Sequence, residues 1–390
     1  MNLSFDNTEK AFAHKSNQDL KKAYWLFKTF AYPLVVKYGP GLTNAVLSMG
    51  IPIKGMIKNT IFHQFCGGET IVDSYPSAQQ LYENNIHSIL DYSVEGEGSP
   101  ESYKQTFNEL LNVIREAADK KEYPFAVFKC TGICSFSLLQ KHSEGKTLTE
   151  QEKLEWLEFE ERIDTLATAA ANNNIQLLID AEETWIQKAI DEVAYKAIAK
   201  HNTQKCVVFN TIQLYRTGRI EEMTKQIELA KDSKYKLGFK LVRGAYMEKE
   251  RERAEEMGYT SPIQPNKEAT DSDYNEAVTL CFDNRDIVSV MAGSHNEESA
   301  YHLVNLISNN KEDKKDRRFW FAQLYGMSDH ISFNLAKNGY NVAKYLPYGP
   351  VKKVLPYLSR RAQENTSVKG QSGRELSLIK KELKRRRLSN

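Results

Sequence analysis

From about residue 86 the chain alternates short apolar runs with longer stretches of helical periodicity. The apolar runs are Ser88–Tyr92, Phe125–Cys130, Ile175–Asp180, Cys206–Asn210, Leu237–Arg243, Ile287–Ala292, Phe319–Gln323 and Asn341–Tyr345. Their length and their content of Val, Ile and Phe predict buried strands. Each is followed by a stretch that reads as a helix, for example Trp185–Lys200 and Pro350–Gln363. Buried strands alternating with helices imply parallel pairing and right-handed crossovers. Eight of them point to an α/β protein with a closed (βα)8 TIM-like barrel rather than an open sheet. Residues 1–64 read as helical, with Leu20, Tyr24, Phe27 and Phe30 near helical spacing. Pro33, Gly39, Pro40, Gly50 and Pro52 cut this region into short pieces. Residues 143–164 predict a solvated, charged helix inserted between the second and third strands. The stretch Glu248–Pro265 reads as a charged, loop-rich cover for the barrel mouth. The expected organisation is a helical arm at 1–85, a barrel at 86–368 and a basic tail at 369–390.

Composition changes this picture little. The 390 residues are 41% hydrophobic and 27% charged, as in an ordinary globular chain. The net charge is only +2, from 53 basic and 51 acidic residues, which argues against nucleic acid as a partner. The five cysteines are widely spaced, so reduced thiols in a cytosol-like compartment are expected. Cys130 and Cys134 lack a second close pair, and no HExxH motif occurs, so no metal site is expected. The first residues lack the basic and apolar regions of a signal peptide, and no Arg precedes position 100, which disfavours a transit peptide. The apolar run Tyr24–Val36 is interrupted by Lys28 and Pro33 and is too short to span a bilayer. A cytoplasmic protein is the expectation.

The chemistry should sit where strands end, since the active site of this architecture lies at the C-terminal mouth of the barrel. Lys129, Asp180, Asn210, Arg243 and Gln323 lie at or near such ends. In YLPYGPVKKVLPYLSRRAQEN, residues 345–365, Val351, Val354, Leu355, Leu358 and Ala362 form an apolar helical stripe, approximate because Pro356 would kink it. Tyr357, Arg360, Arg361 and Glu364 lie beside it. Two adjacent guanidiniums can clamp a carboxylate. The alternative is a surface helix with an Arg360–Glu364 pair. In KLVRGAY, residues 240–246, two small residues after Arg243 let another group approach the backbone. The alternative there is an ordinary turn. In LLIDAEE, residues 177–183, Asp180 ends a strand or else caps the next helix.

The ordered runs IDAEE, NTIQLY, KLVRGAY, SHNE, QLYGM and YGPVKKVLPYLSRRAQEN closely resemble the proline dehydrogenase family, over about residues 86–368. The resemblance implies a distorted (βα)8 barrel preceded by helices and an FAD-dependent oxidation of L-proline to Δ1-pyrroline-5-carboxylate. It implies that Arg360 and Arg361 bind the substrate carboxylate, joined by Lys129. Asp180 and Lys240 match polar catalytic positions near substrate and flavin N5, although many bacterial relatives carry Arg at the position of Lys240. Ala181, Gln213, Arg243, Gly244, Ala245, His295 and Asn296 match FAD-binding positions. Tyr246, Leu324, Tyr345 and Tyr357 match the walls around the pyrrolidine ring. Glu364 matches a residue supporting the second arginine and the flavin. The resemblance also implies a membrane quinone as electron acceptor.

Rival readings are a hydroxyproline dehydrogenase, disfavoured by the retained wall residue Tyr345, and a Schiff-base aldolase using Lys129 or Lys240. A non-catalytic barrel is a third. The C-terminal ELSLIKKELKRRRLSN places Leu376, Ile379 and Leu383 on one helix face amid basic residues. Such a helix would suit peripheral contact with an anionic bilayer, on the inner face of the cell membrane. The alternative is a solvated tail.

Overall fold

The structure is a computed structural model, which describes residues 3–30, 32, 54–93, 98–118, 120–367 and 371–388. Strands β1 (Ile86–Tyr92), β2 (Phe125–Lys129), β3 (Gln176–Asp180), β4 (Val208–Gln213), β5 (Leu237–Val242), β6 (Val288–Gly293), β7 (Phe319–Leu324) and β8 (Val342–Tyr348) follow in order round a closed parallel barrel. Helices separate them, and further helices stand at both ends of the chain. The expected (βα)8 barrel is therefore observed.

Two strands differ most from the sequence reading. β4 begins two residues late and runs on to Gln213, because its polar residues find partners. Thr211 Oγ1 donates to Ile179 O at 2.7 Å, and Asn210 Nδ2 donates to Asp191 at 2.9 Å. Polar residues inside a strand are tolerated when satisfied. β8 runs on to Tyr348 through Pro347, whose carbonyl accepts from Gly67 N at 2.8 Å. Its Pro needs no donor because that edge uses only the carbonyl.

The chain divides into two compact units. One, Gly96–Ala322, carries β2 to β6 and most of β7. Within it Lys129 lies opposite Asp180 in the β2–β3 ladder. The charged region after β2 is two helices, Phe136–Ser143 and Glu150–Asn172, the second opened by a Thr149–Glu152 capping box. It buries Trp156 and Phe159 and leaves Leu154 and Leu157 exposed. The Glu248–Pro265 stretch is not mainly loop: a helix spans Met247–Met257. The completely buried Glu250 anchors it by accepting from Thr184 N and Oγ1 at 2.7 and 2.6 Å.

The other unit, Met1–Glu95 with Gln323–Asn390, joins β1 and β8 to the terminal helices. Its core packs Leu20, Phe27 and Phe30 with Phe65, Val354, Leu358, Leu378, Ile379 and Leu383. Two expectations are corrected here. The helix bearing the arginine pair is Leu355–Ser367, so Pro356 sits in its first turn, where a missing N–H costs nothing, and no kink results. Val351 and Val354 precede it in turns, still buried. The last helix, Gln371–Arg385, does form, but it is not a free tail. Its apolar face is buried in the core of its own unit, packed against the Asn17–Phe30 helix. Its basic residues serve the same docking: Lys381 Nζ donates to Asp6 O, and Arg386 donates to Phe12 O and Lys15 O. The breakers Pro33, Gly39, Pro40, Gly50 and Pro52 lie outside the described residues.

Candidate active site

In the unit Gly96–Ala322 strands β2, β3 and β5 bring three charges together. Asp180 ends β3. One of its carboxylate oxygens accepts from Lys240 on β5, and the other accepts from Lys129 at the end of β2, at 3.1 Å. Burial disfavours the Asp180 carboxylate, but the two ammoniums beside it hold its pKa below the usual range. The cluster is graded in access. The Lys240 side chain is 6% exposed and that of Lys129 is 40% exposed. Asp180 is thus no helix cap. The following helix starts at Thr184, four residues on, and its first amide is satisfied by Glu250.

Beyond β5 the backbone turns at Gly244 with φ +133°, a conformation that side-chain-bearing residues rarely adopt. A Cβ there would lie 2.4 Å from the ring of Tyr215. Gly244 and Ala245 are exposed and Tyr246 is half-buried. Arg243 is held firmly. Nε donates to Asp271 at 2.7 Å, Nη1 to Ser294 at 2.6 Å and Nη2 to Ser299 at 3.0 Å, and the guanidinium lies 4.4 Å from the Tyr274 ring centre. Asn296 caps the Glu297–Asn309 helix through Ser299 N, and His295 is half-buried beside it. Gln213, the last residue of β4, is 3% exposed. Its Nε2 donates to Glu182 O at 3.1 Å, while its Oε1 is buried with no partner among the described residues. Ala181 is half-buried next to Asp180.

In the unit Met1–Glu95 with Gln323–Asn390, the arginine-bearing helix presents Arg361, buried, with its guanidinium 4.9 Å from the Tyr357 ring centre. Arg361 Nη2 donates to Glu364 at 2.6 Å. Glu364 therefore pairs with Arg361, three residues back, where the surface-helix alternative had named Arg360. Arg360 is half-buried. The Tyr357 hydroxyl is buried without a partner among the described residues, and burial raises its pKa well above the usual phenol range. Tyr345 on β8 is buried, and Leu324 at the end of β7 is half-buried.

Sequence reasoning missed Thr131, Glu182, Glu250, Asp271, Ser294 and Ser299, which hold the strand exits rather than form them. The signal for Glu182 was present in IDAEE, a second acid two positions past a strand-ending acid. Asp271 and Glu250 gave none, since charged residues on charged helices read as solvated faces.

Residues 75–374 match the family model described as proline dehydrogenase. Proline dehydrogenase 1, mitochondrial, from Dictyostelium discoideum is 30% identical over 97% of this chain and 74% of its own length. The hydroxyproline dehydrogenase of Xenopus laevis is 30% identical over 96% of this chain and 88% of its own. Among solved structures, proline utilization A from Bdellovibrio bacteriovorus, inactivated by N-propargylglycine, matches with a TM-score of 0.71 at 18% identity. That match covers 94% of this chain and 37% of that one, and it bears on the fold alone. With three-quarters of its length under the family model and near-complete alignment to these relatives, this chain belongs to the proline dehydrogenase family.

Proposed function

We propose that this protein oxidises L-proline to Δ1-pyrroline-5-carboxylate with bound FAD and passes the electrons to a quinone. The observation that carries the reading is the Lys129–Asp180–Lys240 cluster at the strand exits, in a chain of this family. Proline offers a carboxylate, a ring amine and an apolar ring. Arg360 and Arg361 take the carboxylate, with Lys129 adding to the positive field. Tyr246, Leu324, Tyr345 and Tyr357 wall the ring and exclude water. Asp180 and Lys240 orient the polar end next to the carbon that loses hydride.

The residues present fit FAD. Gln213 Oε1 is a buried acceptor without a partner among the described residues, suited to a ligand donor. Gly244 and Ala245 leave the β5 exit open to close approach. Arg243, with His295 and Asn296 nearby in sequence to its partner Ser294, keeps N–H donors to spare for phosphate after its three protein bonds. Ala181 and Glu364 complete the proposed cofactor contacts. When bound, FAD supplies the redox chemistry by accepting the hydride. Anaerobic L-proline should bleach the visible flavin band of the FAD-loaded protein. A protein that neither binds FAD nor bleaches with proline would sink the reading.

Hydroxyproline is the second reading, favoured by the Xenopus laevis relative and opposed by the bulk of Tyr345. An aldolase is disfavoured because both candidate lysines are ion-paired with Asp180, and an ammonium has no lone pair for attack. A cytoplasmic enzyme meeting its quinone at the inner face of the cell membrane completes the proposal. The apolar face of the last helix does not serve this contact, because it is covered. Lys380, Lys384 and Arg387 remain exposed there for an anionic surface. Among the described residues no helix is long and apolar enough to cross a membrane. Salt-sensitive co-sedimentation with anionic liposomes supports the contact, and none at low salt overturns it.

A further inference from the structure

Glu182 stands two residues past Asp180, beside the Lys129–Asp180–Lys240 cluster but not part of it. It is 3% exposed, and its four polar contacts reach three neighbouring segments. Oε1 accepts from Thr131 N at 3.0 Å and Oε2 accepts from Thr131 Oγ1 at 2.5 Å. Its own N donates to Gln187 Oε1 at 2.8 Å, and its O accepts from Gln213 Nε2 at 3.1 Å. Thr131 is two residues past Lys129 on β2, just as Glu182 is two past Asp180 on β3. Lys129 and Asp180 are themselves ladder partners. The carboxylate thus adds a second tie, in register, beyond the salt bridge.

The Gln213 contact fixes an orientation. A side-chain amide has one donor end and one acceptor end. With Nε2 spent on Glu182 O, the other end of Gln213 is the acceptor, Oε1, buried and unpartnered among the described residues. Flipping the amide would set oxygen against oxygen. The Glu182 carboxylate therefore bears on what Lys129 faces, while the main-chain carbonyl of the same residue sets which end of Gln213 is offered.

We propose that Glu182 is a positioning residue, whose carboxylate clamps the exit of β2 to that of β3 so that Lys129 stays on Asp180 and the main-chain carbonyl that orients Gln213 towards the cofactor keeps its place. This rests on the proline-oxidising reading above. The titratable groups around it are Lys129, Asp180, Glu183, Cys130 and Cys134, and Glu183 is paired with Lys249 at 2.5 Å. Burial lifts the Glu182 carboxyl to about 7, against the pull of the two Thr131 bonds. Ionised, it accepts both Thr131 donors. Protonated, it gives up one of those acceptor sites.

The test uses FAD-loaded full-length enzyme and three variants, Glu182→Ala, Glu182→Gln and Thr131→Val. The readouts are the flavin absorption band, the anaerobic rate of proline-driven bleaching per bound flavin, and thermal stability. Glu182→Ala should slow bleaching at least about tenfold, the scale of a small misplacement, and shift the flavin band. Glu182→Gln, which keeps the Thr131 N contact, should recover most of that rate. The wild-type to Glu182→Gln rate ratio should rise between about pH 6 and about pH 8, as the native carboxyl ionises. Thr131→Val should act in the direction of Glu182→Ala. The proposal falls if Glu182→Ala bleaches at the wild-type rate with an unshifted band, whatever its melting temperature. Should Glu182→Ala fail to fold, it falls if both other variants match wild type across that pH range. Wild-type enzyme that does not bleach defeats the functional reading instead, which keeps the two failures apart.

Discussion

Each compact unit of this molecule holds a lysine on a barrel strand paired with an aspartate, and the two pairs are built for different ends. In the unit with the terminal helices, Lys344 on β8 is fully buried. Its ammonium donates to Asp329 and Met327 O at 2.7 Å and contacts Leu324 O at 3.3 Å. Asp329 also faces Lys15 at 3.5 Å and His14 at 3.4 Å, with His14 stacked on Phe333. Every proton of that lysine is spent, and the pair ties the N-terminal segment to the strand. In the other unit, Lys240 and Asp180 share their charge with Lys129, whose side chain is 40% exposed. A closed charge cluster locks a fold; one left with room beside a part-exposed lysine can receive an anion. Next to Lys344 stands Tyr345, on the opposite face of the same strand, so β8 carries a structural residue on one side and a candidate wall residue on the other.

The largest effect should come from breaking the closed pair. Lys344→Met should destabilise the protein by about 3–5 kcal/mol, the scale for stranding a buried charge. Lys240→Met should cost less stability while abolishing proline-driven bleaching. Denaturant unfolding of both variants, with bleaching assays, checks the contrast; equal stability losses would erase it. Next comes Arg361→Met, expected to weaken proline binding by about 2–5 kcal/mol while FAD stays bound. An unchanged Kd for proline would remove Arg361 from the carboxylate clamp.

Tyr345→Ser should move the ratio of kcat/KM from L-proline towards trans-4-hydroxy-L-proline by about 1–3 kcal/mol, the usual reach of a reshaped pocket wall. A ratio that stays put means Tyr345 does not set specificity.

The smallest effect separates the units by pH. Burial lowers the pKa of His14, so its folded form binds fewer protons than its unfolded form. Stability gained through His14 therefore rises with pH up to about 6.5 and then levels. Glu182 runs the other way. Its folded pKa is raised to about 7 from 4.5, so its contribution falls as pH rises through that window. Each slope is at most about 1.4 kcal/mol per pH unit. Melting curves of His14→Gln and Glu182→Gln against wild type should deviate in opposite senses, and deviations of the same sign would refute one assignment.

Much of the barrel was legible because burial on both faces leaves near-continuous apolar runs, and six of the eight runs lie within two residues of their strands at both ends, β4 and β8 excepted at their C-terminal ends. Those two strands ran on through Pro347 and past Asn210, residues that local propensity reads as breaks. The strand-ending charges Lys129 and Asp180 were legible for the same reason, since a polar residue closing an apolar run marks the mouth. The helix of residues 371–385 was legible as amphipathic, but not which surface its apolar face would meet.

What the sequence alone determined was periodicity: eight strands, their alternation with helices, and the motif order that marks the family. Those are local or ordered along the chain, so one-dimensional pattern suffices. Tertiary structure alone decided pairing: that Glu364 takes Arg361, that Glu250 satisfies the first amide of a helix 66 residues earlier, and that Leu378, Ile379 and Leu383 cover a core of their own unit. A buried hydrogen bond or a covered apolar face has no period along the chain. It is fixed by which distant groups would otherwise be left unsatisfied in the interior, and that cost appears only once the chain has closed on itself.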